Sequence, residues 1–383
     1  MYRLDDSQKV LVEKVRQIAD EQIAPRAVEV DAQGRFPREA VDALGKAGFL
    51  GLTLPAEFGG MGQGIRVTCA VLDEIAQRCA STAMVYLMHV CGCACYVAAP
   101  QAAGAAMRQA ASGRHLSTLA WSEKGSRSHF WAPVSQGVQE NGQVVLNAQK
   151  SWVTSAGEAD GYVVSTRTPG GSAPTDTMLY LVLKGEKGVS VSGPWSALGL
   201  RGNASAPMAF DHCAIPAERA LCAPSKGFDT MLGVVLPWFQ LGSAAISAGV
   251  SEAATAATVA HLTGGRLEHL NSPLASLPNL RARLAQMRIE TDRTRAHLAS
   301  IMDAVEQPGP QTMLMVLESK AAAAEAAVRV TDLGMQACGG AAFSRHLSLE
   351  RNFRDARAAT VMAPTTDVIH DFIGRALCGM ELF

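Results

Sequence analysis

The sequence predicts an α+β fold built from three successive zones: helices, a small β-rich unit, then a bundle of long helices. Three observations predict it. Apolar residues recur at helical spacing through the first hundred residues. Short β-branched runs divided by Gly, Pro, Asn and Asp take over between about 115 and 223. Ala- and Leu-rich stretches of helical length fill the remainder. The corresponding units are residues 1–114, 115–223 and 224–383. With 383 residues, 48% of them hydrophobic, the chain is long enough to bury continuous cores.

In the first zone Val10, Leu11, Val15, Ile18 and Ile23 lie near helical spacing with charges between them, and Pro25 interrupts only near a helix end. The stretch TLPAEFGG (53–60) carries Pro and a Gly pair, so it reads as a turn or loop. Residues 67–75 and 83–97 resume as buried helices. In the middle zone QVVLNAQKSWVT (143–154), GYVVSTR (161–167) and TMLYLVLK (177–184) read as strands, and NGQ (141–143) as a turn. Together they predict a small antiparallel barrel or sandwich. Beyond 224, residues 241–262, 280–305 and 312–333 predict long antiparallel helices, their Ala-rich faces packing on one another or on another subunit.

The net charge is -1, and no Lys/Arg block exists that would grip a nucleic acid. The N-terminus lacks a cationic region followed by an apolar one, which predicts no secretory signal. The longest apolar candidate, 231–250, is interrupted by Pro237 and Gln240, which predicts no membrane span. A cytoplasmic enzyme is the expectation. Nine cysteines include Cys91, Cys93 and Cys95 in CGCAC, without any Cys-x2-Cys pair. They predict reduced thiols packed in a helical core, with no metal site.

Five segments carry a resemblance: LTLPAEFGGMGQG (52–64), LDEIAQRCAST (72–82), NAQKSWVTSAGEADGYVVSTR (147–167), GLRGNASAPMAFDHCAIP (199–216) and MQACGGAAFSRHLSLERNFRDAR (335–357). In order and spacing, over nearly the whole chain, they resemble the acyl-CoA dehydrogenase family. That resemblance implies an N-terminal helical domain, a middle β-barrel and a C-terminal four-helix bundle. It also implies FAD, an acyl thioester substrate (CoA- or carrier-linked), α,β-dehydrogenation, an electron-transfer flavoprotein as acceptor, and a homo-oligomer, dimer or tetramer.

A flavin needs a wall against one ring face and small donors at its polar edges. The resemblance assigns these tasks to Leu119, Trp121 and Ser122 in LAWSEKGSRS (119–128) and to Trp152, Val153 and Thr154; taken alone, core packing is the plainer reading of Trp152. Gln336, Gly339 and Gly340 match the family's Gln-x-x-Gly-Gly, which approaches the FAD diphosphate of a neighbouring subunit. Glycine there lets backbone N–H groups reach phosphate, although glycine also ends helices. Arg266 is the nearest match to the family's diphosphate arginine. Thr365 and Asp367 complete the cofactor set. Ser128, which is also on the cofactor side, His129 and Gln240 are the substrate-side candidates.

The chain departs from the family at its centre. Lys124 replaces a proline and His129 an aspartate. Ala363 stands at the position of the catalytic glutamate, with Pro364 after it. The alternative base position, on the first long C-terminal helix, falls on Phe239 or Gln240, and Pro237 replaces an acid that helps hold CoA. Alanine accepts no proton. Asp367 is the substitute candidate, though an acid in a first helical turn is also ordinary capping chemistry; His370 lies a turn further on, and Glu123 reads as structural. Three readings stay open: a dehydrogenase with another acid, a flavin-dependent monooxygenase or oxidase on the same fold, or a non-catalytic FAD- or acyl-binding paralogue.

Overall fold

The computed structural model describes residues 2–126 and 129–382. Helices α1 (Asp6–Ile18), α2 (Ala27–Gln33), α3 (Arg38–Lys46), α4 (Ile65–Ala76), α5 (Ala80–Ala98) and α6 (Pro100–Ala111) come first. α1 starts in a capping box: the Asp5 carboxylate accepts the Gln8 N–H, and the Gln8 side chain returns to the Asp5 N–H. The stretch around Pro25 is a π turn followed by a 3-10 turn, so the chain bends there and helix resumes. α5 is uncharged along its length and carries Cys91, Cys93 and Cys95, all buried. Burial raises all three thiols, which keeps them protonated.

The middle unit holds β1 (Ser117–Ala120), β2 (Gln136–Glu140), β3 (Gln143–Val153), β4 (Gly161–Arg167), β5 (Thr177–Leu183), β6 (Val189–Val191) and β7 (Ala206–Pro216). They form one sheet in the order β1-β4-β2-β3-β7-β6, with β5 also on β4. The expected antiparallel sheet is corrected here. β1 and β2 both pair with β4 in parallel, because the chain returns to β4 by crossing from β3 rather than by a hairpin. The predicted turn is present, with positive φ at Asn141 and Gly142 joining β2 to β3. β3 alternates exposed and buried residues, whereas β4 is buried nearly throughout, as a strand covered on both faces must be.

α7 (Gly227–Asp229) passes through a π turn, Thr230–Val235, into α8 (Leu236–Gly264). A short ribbon, β8 (Arg266–Leu267) with β9 (Ser272–Pro273), leads to α9 (Pro278–Glu306) and α10 (Thr312–Cys338). Then come α11 (Gly340–Phe343), α12 (Leu349–Ala356), α13 (Ala358–Val361) and α14 (Thr366–Leu377). Glu252 on α8 bridges Arg288 and Arg295 on α9, and Glu290 on α9 meets Arg329 on α10. The position of Gly334 is flanked by Thr258 and Met287. These pairs fix α9 as antiparallel to both neighbours, so α8 and α10 run parallel.

Charged ties join the units. Asp73 on α4 accepts the Tyr2 hydroxyl at 2.6 Å and pairs with Arg295 on α9 at 2.8 Å. Arg354 on α12 holds Asp31 and the Leu198 carbonyl, while Asp355 accepts the Leu200 N–H at 2.7 Å. The C-terminal signature therefore fastens helix to sheet. Two helices, α5 and the run Gly227–Gly264, are long and apolar enough by length and composition to cross a membrane, as the core helices of a globular protein also are. Of their most apolar windows, 89% and 67% are buried inside the protein, where α5 packs between β1, α4 and α8.

Candidate functional site

The end of β3 is irregular for a physical reason. Its register with β7 shifts between Lys150 and Val153, and Trp152 sits at a φ of +58°. A bulge re-aims a side chain, and strained non-glycine backbone gathers at functional sites. Trp152 is 70% exposed, and its ring meets that of Trp195 edge-on with centres 6.0 Å apart. Core packing, the plainer reading of Trp152, is thereby corrected. Val153 points inward and is fully buried. Thr154 is buried, with its hydroxyl 2.9 Å from that of Ser205 and its carbonyl accepting the Thr118 hydroxyl. Next to it, Ser155 has positive φ and a buried, unpartnered hydroxyl.

Leu119 lies on β1 opposite Val163, and Trp121 and Ser122 follow that strand. Trp121 is buried and stacks on Phe130 with centres 5.7 Å apart; its Nε1–H is unpartnered. Ser122 is half-buried, and its carbonyl accepts the Ser151 N–H at 2.8 Å. Glu123 is structural, as the sequence reading holds. It pairs with the fully buried Lys150 at 2.8 Å and accepts the Ser135 hydroxyl and the N–H groups of Val134 and Ser135. Burial pushes the Glu123 carboxyl up, but Lys150 and Ser135 outweigh it and hold it low. Burial brings the Lys150 ammonium down to about 8 against the pull of Glu123. Ser128 lies outside the described residues. His129 is exposed and caps the Trp131 ring edge-on at 5.0 Å. Trp131 in turn packs on Phe372 of α14, which joins residues 129–131 to the C-terminal helices.

Ala363 is half-buried in the same apolar cluster as Trp121, Phe130, Trp131 and Phe372. Its loop is held by a residue that sequence reasoning missed. Lys320, fully buried on α10, donates to the carbonyls of Met362 and Pro364 at 2.9 and 2.7 Å. Burial alone draws its amine down to about 7. The available signal was a lysine on the apolar stripe of an Ala-rich helix, one turn from Val316 and from Ala324. Asp367 is exposed in the first turn of α14 and accepts the Thr365 hydroxyl. That places its carboxylate at the positive end of α14, ordinary helix-dipole chemistry. His370 is exposed and turns toward Glu325, at 3.4 Å. Gln240 is completely buried on α8, whereas Phe239 and Pro237 beside it are half-buried.

The remaining candidates are at the other end of the bundle. Gln336 is exposed and donates to Asp332; Gly339, at φ 57° and ψ -134°, ends α10, and Gly340 is exposed. A Cβ at either glycine would meet nothing within 4 Å, so the backbone there is open to approach. Arg266 is exposed and donates to Asn271. α10 covers ~27 Å between Lys320 and Cys338 at the usual helical rise. The glycine set therefore lies a helix length from the Lys320 end of α10, whose carbonyl partners flank Ala363.

The first set fits a flavin. An exposed indole offers a ring wall, a buried hydroxyl pair offers donors, and the orphaned Trp121 Nε1–H and Ser155 hydroxyl await polar partners. Among the described residues no group of His, Cys, Asp and Glu is arranged to hold a metal ion.

Comparison with known proteins identifies the family of this fold. The acyl-CoA dehydrogenase N-terminal, middle and C-terminal domains match residues 5–106, 118–213 and 225–378. A cyclohex-1-ene-1-carbonyl-CoA dehydrogenase of Geobacter metallireducens is 28% identical over 380 residues, covering 98% of this chain and 99% of that protein. The mitochondrial short-chain specific acyl-CoA dehydrogenase of Sus scrofa is 26% identical over 371 residues, covering 95% and 88%. Butyryl-CoA dehydrogenase from Megasphaera elsdenii shares the fold at a TM-score of 0.92 and 22% identity, covering 98% of this chain and 99% of that one. Matched by all three of the family's domains in order, the chain belongs to the acyl-CoA dehydrogenase family, whose cofactor is FAD.

Proposed function

We propose that this oxidoreductase removes two hydrogens from adjacent carbons of an acyl thioester, with FAD as hydride acceptor. The observation that carries the reading is the exposed, strained Trp152 beside the buried Thr154–Ser205 hydroxyl pair. When bound, FAD supplies hydride acceptance. Trp152 would cover a ring face, and Ser122 and Thr154 would present hydroxyls to its edge. The aromatic group Trp121, Phe130, Trp131 and Phe372 keeps water from the reacting carbons. Lys320 fixes the loop around Ala363, which itself takes no proton, so the α-proton leaves to a group other than that side chain.

The separation of the two residue sets along α10 supports a homo-oligomer in which Arg266, Gln336, Gly339 and Gly340 of one copy serve the dinucleotide of the next. Thr365 and Asp367 remain with the cofactor set at the start of α14. Nine free cysteines, eight of them at least partly buried, suit the reducing conditions of the cytoplasm. An electron-transfer flavoprotein is the proposed acceptor.

Anaerobic titration of the holoprotein with a panel of acyl-CoAs tests the reading. Flavin bleaching with an enoyl product is the expected result. Oxygen uptake driven by another reductant, without bleaching by any thioester, would replace dehydrogenation by oxidase or monooxygenase chemistry. FAD retention without turnover in either regime would leave a binding protein.

A further inference from the structure

The deepest unexplained polar group in the bundle is Gln240. It is 0% exposed, and neither its Oε1 nor its Nε2 has a partner. One turn on, the buried Ser243 hydroxyl is also unpartnered, as is Thr366 at the start of α14. The contrast lies within α8 itself. Ser251, Thr255 and Thr258, further along, all bond back to carbonyls of their own helix. Within α8, the unsatisfied buried side chains fall in its opening turns. A buried amide without partners is costly, so a bound molecule that supplies them gains correspondingly.

Helical geometry says where Gln240 faces. Eighteen residues, about five full turns, separate it from Thr258, so both lie on one side of α8. Thr258 faces Gly334 of α10. Because α8 and α10 run parallel, the same five turns back along α10 reach Val316, one turn before Lys320. Gln240 therefore looks toward α10 at the level where Lys320 holds the carbonyls on either side of Ala363. Alanine leaves that level without a carboxylate, and the amide stands across from it.

We propose that Gln240 reads a neutral hydrogen-bonding group, a hydroxyl, within the acyl portion of the substrate. This deepens the dehydrogenase reading above and rests on it. The chemistry follows from the amide: its N–H donors and its carbonyl acceptor match a group that both accepts and donates. A carboxylate satisfies only the donors, and a plain hydrocarbon neither. Ser243 adds a second buried, unpartnered hydroxyl one turn away. A site built to bond a hydroxyl rejects the methyl analogue strongly, because its own buried polar groups are then left unpaired.

The test compares 3- and 4-hydroxyacyl-CoAs with the acyl-CoAs in which a methyl replaces the hydroxyl, such as 4-hydroxybutyryl-CoA against pentanoyl-CoA. Binding to the oxidised holoprotein is read anaerobically from the flavin spectrum. At least one hydroxyacyl-CoA is expected to bind tenfold or more tightly than its methyl partner. Gln240→Leu, of similar volume, should abolish or reverse that ratio; Gln240→Met and Ser243→Ala give the same readout should the leucine variant lose FAD. Equal or tighter binding of every methyl analogue to the unaltered protein overturns the proposal and leaves dehydrogenation intact. An unchanged ratio in folded Gln240 variants overturns it too, and assigns the amide to internal water. Should no acyl-CoA perturb the flavin, both this proposal and the dehydrogenase reading fall.

Discussion

Replacing Lys320 by methionine probes the buried ground beneath Ala363. The amine is fully buried on α10, donates to the carbonyls of Met362 and Pro364, and makes no ion pair among the described residues. Burial lowers it from 10.5 to about 7. Between those values the folded chain binds fewer protons than the unfolded chain, so stability rises with pH through that window. The full slope from one such group is ~1.4 kcal/mol per pH unit, for a ceiling of ~5 kcal/mol across it. Methionine keeps the bulk and removes the titration, but it leaves two carbonyls without their donor, at about 1–3 kcal/mol each. Near pH 7 the two effects largely offset, and the variant should be close to the parent in stability. By pH 9.5 the parent should have gained roughly 3 kcal/mol over the variant. Urea midpoints at pH 7.5, 8.5 and 9.5, at fixed protein and FAD concentration, measure the difference. A parent-minus-variant difference that stays flat over these three values would refute a desolvated amine at Lys320.

Four other outcomes follow from the site and its supports. Lys150→Met strands the buried Glu123 carboxylate and should cost about 3–5 kcal/mol, with much of the loss recovered by adding Glu123→Gln; a double variant no more stable than the single one contradicts this in the same melts. Trp152→Ala should weaken FAD retention by tenfold or more while moving the apoprotein melting temperature little, because the ring is exposed without its ligand; ultrafiltration of bound flavin decides. Asp367→Asn should leave any proton-abstraction step within about twofold, as expected for an acid at a helix start, and a large kinetic slowdown in stopped flow would return Asp367 to the reaction. Burial lifts the Asp355 carboxyl to about 6, so the folded chain binds the extra proton between 3.8 and 6 and loses stability as pH rises through that range; Asp355→Asn should flatten this segment of a pH–stability curve.

The three-zone plan was legible because periodicity and composition change together near 115 and 224. The parallel pairs on β4 were not, since a strand's direction is set by how the chain crosses the sheet rather than by its own residues. Trp152 was found through its motif, whereas its own strand suggested a packing residue: strand alternation predicts a face, while a bulge rotates it. Lys320 was invisible for a different reason. Lysine is almost never fully buried, and only the contact with the 362–364 loop, more than forty positions away, reveals why this one is. The uncharged run in α5 has the composition of a membrane span as well as of a core helix, and its burial inside the protein matches the buried helix expected over 83–97.

α10 has a mechanical consequence in the proposed assembly. One end steadies the loop at its own chain's reaction centre through Lys320, and the other presents Gly339 to a neighbour's dinucleotide. A continuous helix transmits axial displacement with little loss, so a sliding motion at either terminus is delivered to the other. In that assembly a single rod, rather than a relay of surface contacts, would join adjacent centres.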